Sequence, residues 1–287
     1  MTEKKGTLDS PDYSEMYETG SYHGIVRELK GFSLFNTLLQ IFNQSPASST
    51  AGIISKYFME HFYELDNLNI YDVARECFTS RSGIRRFVQS VGFDNFSSVK
   101  EDVWEWYLRK KYFTDYVDHD DFRNYLTAEL SEMFSNINQQ IDDETLDQLA
   151  ARLRASEQPL LLASDYSAMA VREFQQSMLV LNKLVTDSDG DLSVLNALTP
   201  HDVIIVISAS GNFAQSIEKT IRPGTKGHKV IVTLNPSFEA SEVFDSCICL
   251  SHSEYHRVRT AYSEYGIRYF FDLLYNRYFV RYGKNDV

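Results

Sequence analysis

Five short runs of Val, Ile and Leu, all downstream of Pro159, constrain this chain more than any other feature. They read PLLLASD, KLVTDSD, DVIIVISAS, KVIVTLN and CICLS. Apolar runs of this length, separated by helical patterns, predict strands buried on both faces of a parallel sheet. The stretches SAMAVREFQQSMLVLNK and NFAQSIEKTIRPG supply crossover helices, and a last helix of roughly residues 257–281 carries an aromatic-rich face. Residues 158–287 are therefore expected to form a doubly wound α/β domain.

Upstream of Pro159 the texture is helical throughout. FSLFNTLLQIFNQS places Phe32, Phe35, Leu38, Leu39 and Phe42 at helical spacing, and Ser48 to Thr50 offer N-cap chemistry to AGIISKYFMEHFYEL. Two short helical patterns, NIYDVARECF and SRSGIRRFVQSVGF, follow with a very tight connection. A further helix in NFSSVKEDVWEWYLRKKYF is expected to be capped by Ser97 or Ser98, and residues 116–157 continue as helices. The expected organisation is a polar extension over 1–30, an all-α domain over 31–112, a helical linker over 113–157 and the α/β domain over 158–287. A length of 287 residues suits two domains.

Charge singles out one helix. The chain carries a formal net charge of -12, yet residues 79–93, TSRSGIRRFVQSVGF, hold three arginines and no acid. On a helix here, Ile84, Phe87, Val88 and Val91 face inward. Ser80 stands where an N-cap hydroxyl meets an unpaired backbone N–H. Arg81, Ser82, Arg85 and Gln89 are left as an outward stripe. Two short helices joined by a tight turn make a helix-turn-helix, whose second helix enters a DNA major groove. There Arg pairs with guanine edges, Gln with adenine, and Ser or Arg with phosphates. A basic amphipathic helix is also what a solvated surface looks like, so spacing leaves both readings open.

The loop VISASGNF follows a strand, and Ser208, Ser210 and Gly211 can present hydroxyl and backbone N–H groups to a phosphate; Ser/Gly turns after strands are also common for purely local reasons. Other chemistry is sparse. His252 and His256 flank Glu254 with no third metal ligand, so no metal is expected, although Glu254 and His256 have the makings of an acid–base pair. The three cysteines, Cys77, Cys247 and Cys249, form no CxxC pair, which argues against zinc and a disulfide framework. There is no P-loop and no serine-hydrolase elbow, so neither a cofactor nor catalysis is expected. With no apolar run near ~20 residues and no signal peptide, the expected location is cytoplasmic, without membrane contact.

The order of residues 53–103 resembles the N-terminal helix-turn-helix domain of RpiR/MurR-type transcription regulators. Ile53 and Tyr57 match the first helix of that pattern, and Ile70 and Ala74 the second. Ser80, Arg86, Phe87, Gly92, Phe93, Phe96 and Lys100 match the third. Phe78 stands at the turn position where the family commonly has Gly, and Gly83 where Thr is usual. The second half is similar to a sugar isomerase (SIS) domain, a binder of phosphosugars. Its S-x-S-G-x-T loop falls on Ser208 to Phe213, including Asn212. Its G-x-G-x-S loop falls on Ala163 to Ser167, with only Ser167 retained and Asp165 bringing a negative charge. Ser263 lies where the family often has a site-facing serine.

The resemblance implies a transcription regulator, not an enzyme, acting on a palindromic double-stranded DNA operator as a homodimer or homotetramer, with a phosphosugar effector. The DNA-binding set is then Ser80, Arg81, Ser82, Arg85, Arg86, Gln89 and Lys100. The ligand set is Ser167, Ser208, Ser210, Gly211, Asn212 and Ser263. The alternatives are a phosphosugar isomerase with an accessory helical domain, or an interaction module that has lost both activities.

Overall fold

The computed structural model describes residues 34–163, 167–188, 192–218, 221, 224–252 and 260–284. The helical head comprises α1 (Leu34–Gln44), α2 (Thr50–Glu60), a 3-10 segment (Phe62–Asn67), α3 (Ile70–Glu76), α4 (Arg81–Ser90), α5 (Phe96–Lys100) and α6 (Val103–Val117). Side-chain caps start four of these helices. Ser49 accepts from the Gly52 N–H, Asn69 from Tyr71, Ser80 from Gly83, and Asn95 from Ser97 and Ser98. The expected caps Ser97 and Ser98 thus give way to Asn95. Its carboxamide reaches two N–H groups while the Ser98 hydroxyl bonds back to the Asn95 N–H, a reciprocal arrangement.

The head closes around Phe58, Phe62, Val73, Ile84 and Val88, all at most 1% exposed. Helix α1 joins this core through Leu34 and Leu38, which turns Leu39 and Phe42, expected on the inward face, largely outward. A buried ion pair ties α1 to α6. Arg109 Nε donates to Glu105 Oε1 at 2.8 Å, Glu105 Oε2 accepts from the Phe35 N–H at 3.2 Å, and the guanidinium lies 5.0 Å from the Phe35 ring centroid. The carboxylate therefore sits at the N-terminus of α1, where free N–H groups favour negative charge.

The second half continues with α7 (Phe122–Gln140), α8 (Asp143–Ala155), β1 (Leu160–Ala163), α9 (Ala168–Val180), β2 (Thr186–Asp187), β3 (Val203–Ile207), α10 (Asn212–Glu218), β4 (His228–Thr233), β5 (Ser246–Cys249) and α11 (Ile267–Tyr278). Each strand overlaps one of the five apolar runs. All pairings are parallel, in the order β2-β1-β3-β4-β5. Strand β3 shows why its run is uninterrupted. Val203, Ile205 and Ile207 enter the core on one face of the sheet, and Ile204 and Val206 the core on the other.

The segment 113–157 is not a free linker. Met133 and Ile137 of α7 and Leu146, Leu149 and Leu153 of α8 are built into the core of the sheet domain, alongside Phe270 and Leu274 of α11. Within α6, Val103, Trp106 and Tyr107 pack on the head core. An amphipathic pattern shows that a helix buries one face, not which core receives it.

One acid staples the base of the sheet. Asp202, with no exposure, accepts at Oδ1 from Ser156 Oγ (2.9 Å) and the Gln158 N–H (2.7 Å), and at Oδ2 from the Thr199 N–H (2.7 Å) and Thr199 Oγ1 (2.8 Å). Burial pushes its pKa upward. The hydrogen bonds from Thr199, Gln158 and Ser156 outweigh that effect and hold it at about 2, below the ordinary 3.8. A carboxyl with a depressed folded pKa contributes stability that is complete above the unfolded value and lost as pH falls through the folded one. The urea midpoint is therefore expected to drop between about pH 4 and pH 2. That drop should be smaller in Asp202→Asn, which has no carboxyl to titrate; equal slopes in both proteins would refute this account.

Candidate functional site

Helices α3 and α4 form a two-helix unit, and α4 carries the basic face. Ile84 and Val88 are fully buried, whereas Arg81, Ser82, Arg85, Arg86 and Gln89 are all exposed. At 100° per residue these five positions span about 140° of the helix circumference. Arg81 is held within this face. Its guanidinium donates to Tyr71 Oη at 2.8 Å and lies 4.5 Å from the Tyr71 ring centroid. Among the described residues Arg85 and Arg86 have no ion-pair or hydrogen-bond partner. Ser80 caps the helix through Gly83 and shares a hydrogen bond with Ser82 at 2.7 Å. Lys100 lies at the last position of α5, half-buried.

Arg75, on the neighbouring α3, keeps its charge on its own helix. It pairs there with Asp72 at 2.9 Å and Glu76 at 3.1 Å. The departure at Gly83 also has a local cause. A Cβ there would lie 2.5 Å from Thr79 Oγ1, so the small residue makes room for that hydroxyl over the first turn of α4.

The sheet places its own candidate site at the switch point between β1 and β3, where Ala163 pairs with Ile207. In open parallel sheets the crevice beyond the strand ends at such a point is where ligands bind. The loops after these two strands carry Ser167 and the run Ser208, Ser210, Gly211 and Asn212. Most of their polar groups are already engaged. Ser208 is buried, and its hydroxyl accepts from the Ala214 N–H at 3.1 Å. Ser210 Oγ accepts from the Asn212 N–H, and its carbonyl accepts from Asn235 Nδ2 at 2.9 Å. Gly211 has φ +94°, and a Cβ there would come within 2.3 Å of the Phe238 ring. Glycine is thus required for both backbone and space. Asn212 is exposed, and Ser167 is buried at the start of α9 without capping it.

Ser263 stands apart from the crevice loops in its bonding. Its hydroxyl donates to the Thr260 carbonyl at 2.9 Å and accepts from the Thr260 N–H at 3.0 Å and from Tyr112 Oη at 3.1 Å. All its hydrogen-bonding capacity is committed within the protein, tying α6 to the turn before α11. Asp165, Glu254 and His256 lie outside the described residues, while His252 is exposed. Among the described residues no cluster of His, Cys, Asp and Glu is arranged to hold a metal ion, and no helix is long and apolar enough to cross a membrane.

No protein-family model and no curated protein matches the sequence. Solved structures do. The NanR protein of Vibrio vulnificus complexed with ManNAc-6P is 16% identical, covers 88% of this chain and 93% of its own, and superposes with a TM-score of 0.48. The sugar isomerase domain of an RpiR transcription factor from Sphaerobacter thermophilus is 14% identical over 56% of this chain and 92% of its own, with a TM-score of 0.45. A hypothetical protein of Methanococcus jannaschii, inferred to be a 3-hexulose-6-phosphate isomerase, is 18% identical over 54% and 89%, with a TM-score of 0.42. At these identities and scores the functional case rests on the residues of this chain.

Three residues shape these sites without any local sequence signal. Tyr71 steadies Arg81, Phe238 closes on Gly211, and Tyr112 engages Ser263.

Proposed function

We propose that this chain is a sequence-specific DNA-binding transcription regulator whose α/β domain senses a sugar phosphate or a related metabolite and holds the protein as a homodimer or homotetramer. One observation carries the reading: Arg81, Arg85 and Arg86 stand exposed on one face of α4, none of them paired with a carboxylate among the described residues. A duplex needs positive potential only where its phosphates and base edges approach. Charges beyond the screening distance of about 8–10 Å at physiological salt contribute little. On α4 itself, residues 81–90, there is no Asp or Glu to oppose that potential.

For the effector, the chemistry of the crevice narrows the class. Residues 163–170 and 207–214 contain no Lys or Arg. Recognition would fall to hydroxyl and amide groups, those of Ser167, Ser210 and Asn212 above all, which suits the hydroxyl-rich body of a sugar as well as a phosphate. A ligand shifts DNA affinity only if it binds the two quaternary states unequally. No residue of the chain is assigned a catalytic role.

Selection of binding sites from random duplexes tests the DNA half. A palindrome with half-site centres about 10–10.5 base pairs apart, or a multiple of that, is expected for a dimer placing two α4 helices in successive major grooves. Sugar phosphates added to the selected complex should then change its affinity. No enriched sequence would overturn the regulator reading, and an enriched sequence indifferent to every sugar phosphate would overturn the sensor reading alone.

A further inference from the structure

We propose that Phe78 reads sequence, its ring meeting the 5-methyl group of a thymine beside the first turn of α4; this rests on the DNA-binding reading above. Three helices end here in the same way. In each, the residue after the C-cap donates its N–H three residues back and the next residue donates five back: Phe78 to Arg75 and Thr79 to Ala74, Gly92 to Gln89 and Phe93 to Val88, Asn182 to Leu179 and Lys183 to Met178. The closure demands a left-handed residue, and φ is 51°, 89° and 54° at Phe78, Gly92 and Asn182. Glycine has no Cβ to crowd the carbonyl, and asparagine tolerates this region through local hydrogen bonding. Phenylalanine has neither advantage.

Packing does not explain the choice. Phe78 is 91% exposed, while its neighbours Ala74 and Cys77 complete the core without it. The chain therefore carries both backbone strain and exposed apolar surface at one position. Strained residues of this kind gather where a ligand is met. The position matters too: Phe78 precedes the Ser80 cap by two residues and Arg81 by three, so α4 cannot enter a groove without bringing it close to the duplex. Among base edges in the major groove the thymine methyl is the apolar group on offer.

The test uses the full chain and the duplex selected above. Each thymine of a half-site is replaced in turn by uracil, which removes the methyl group and leaves sugar and phosphate unchanged. For the wild type one thymine per half-site should show a loss of about fourfold, the value of burying one methyl-sized group. Phe78→Gly should bind thymine and uracil duplexes equally at that position. It should also melt at a higher temperature than the wild type, so that lost discrimination is not lost folding. A uracil profile unchanged by Phe78→Gly sinks the assignment. So does an even loss of affinity across all sites, which would place the ring against deoxyribose. A wild type that enriches no duplex sinks the DNA-binding reading itself.

Discussion

Replacing Arg81, Arg85 and Arg86 together by alanine is expected to lower operator affinity at least a hundredfold. Each arginine that meets a base edge contributes ~1–3 kcal/mol, and each one that instead neutralises a phosphate adds about one unit to the salt slope, which its removal takes away. In a symmetric dimer each substitution acts twice. The fold should not follow the function down. The buried side of α4 is Ile84, Phe87 and Val88, and the only described partner of the three arginines is Tyr71, itself exposed. Fluorescence anisotropy at several salt concentrations, alongside circular dichroism, measures both quantities. An unchanged affinity with intact helicity would refute the assignment of α4 as the recognition helix.

The second large effect concerns stability. Arg109→Leu is expected to destabilise the head by ~3–5 kcal/mol, because it removes the guanidinium that bonds the buried Glu105 carboxylate at 2.8 Å. Glu105 and Arg109 are each 8% exposed. At that burial water is a poor replacement for the guanidinium, while the Phe35 N–H at 3.2 Å stays on the other carboxylate oxygen. The double variant Glu105→Gln, Arg109→Leu should recover part of the loss, since neither member of the pair then carries a buried charge. Both tryptophans of the chain, Trp104 and Trp106, lie in α6, so denaturation followed by their fluorescence reports on this helix directly. A single variant as stable as the wild type would show that the pair is solvated.

Much of the α/β half is legible in the sequence. A central parallel strand buries both faces, so β3 reads as an unbroken VIIVI, whereas the edge strands β2 and β5 leave Thr186 and Cys247 exposed and are not buried on both faces as their apolar runs suggested. The serine loops were legible for a related reason: they follow β1 and β3, and chain order alone places them at strand ends. In the head, Ser80 and the inward residues Ile84, Phe87 and Val88 could be read because capping and helical periodicity act within a few residues. The cap of α5 was misplaced from Asn95 to the serines that follow it because both kinds of residue can cap, and only backbone geometry chooses.

The sequence by itself determined which stretches are helices and strands, which faces they bury and where one basic stripe runs, because each follows from interactions between residues a turn or two apart. The tertiary structure decided what each polar group is free to do. Ser263 gave up its freedom to Tyr112, 151 positions away, and Arg75 spent its charge on Asp72 and Glu76, while Arg81 found Tyr71. It also decided that α7 and α8 serve the sheet rather than a linker. Periodicity records that a side chain is buried, whereas its partner is chosen only when distant elements meet.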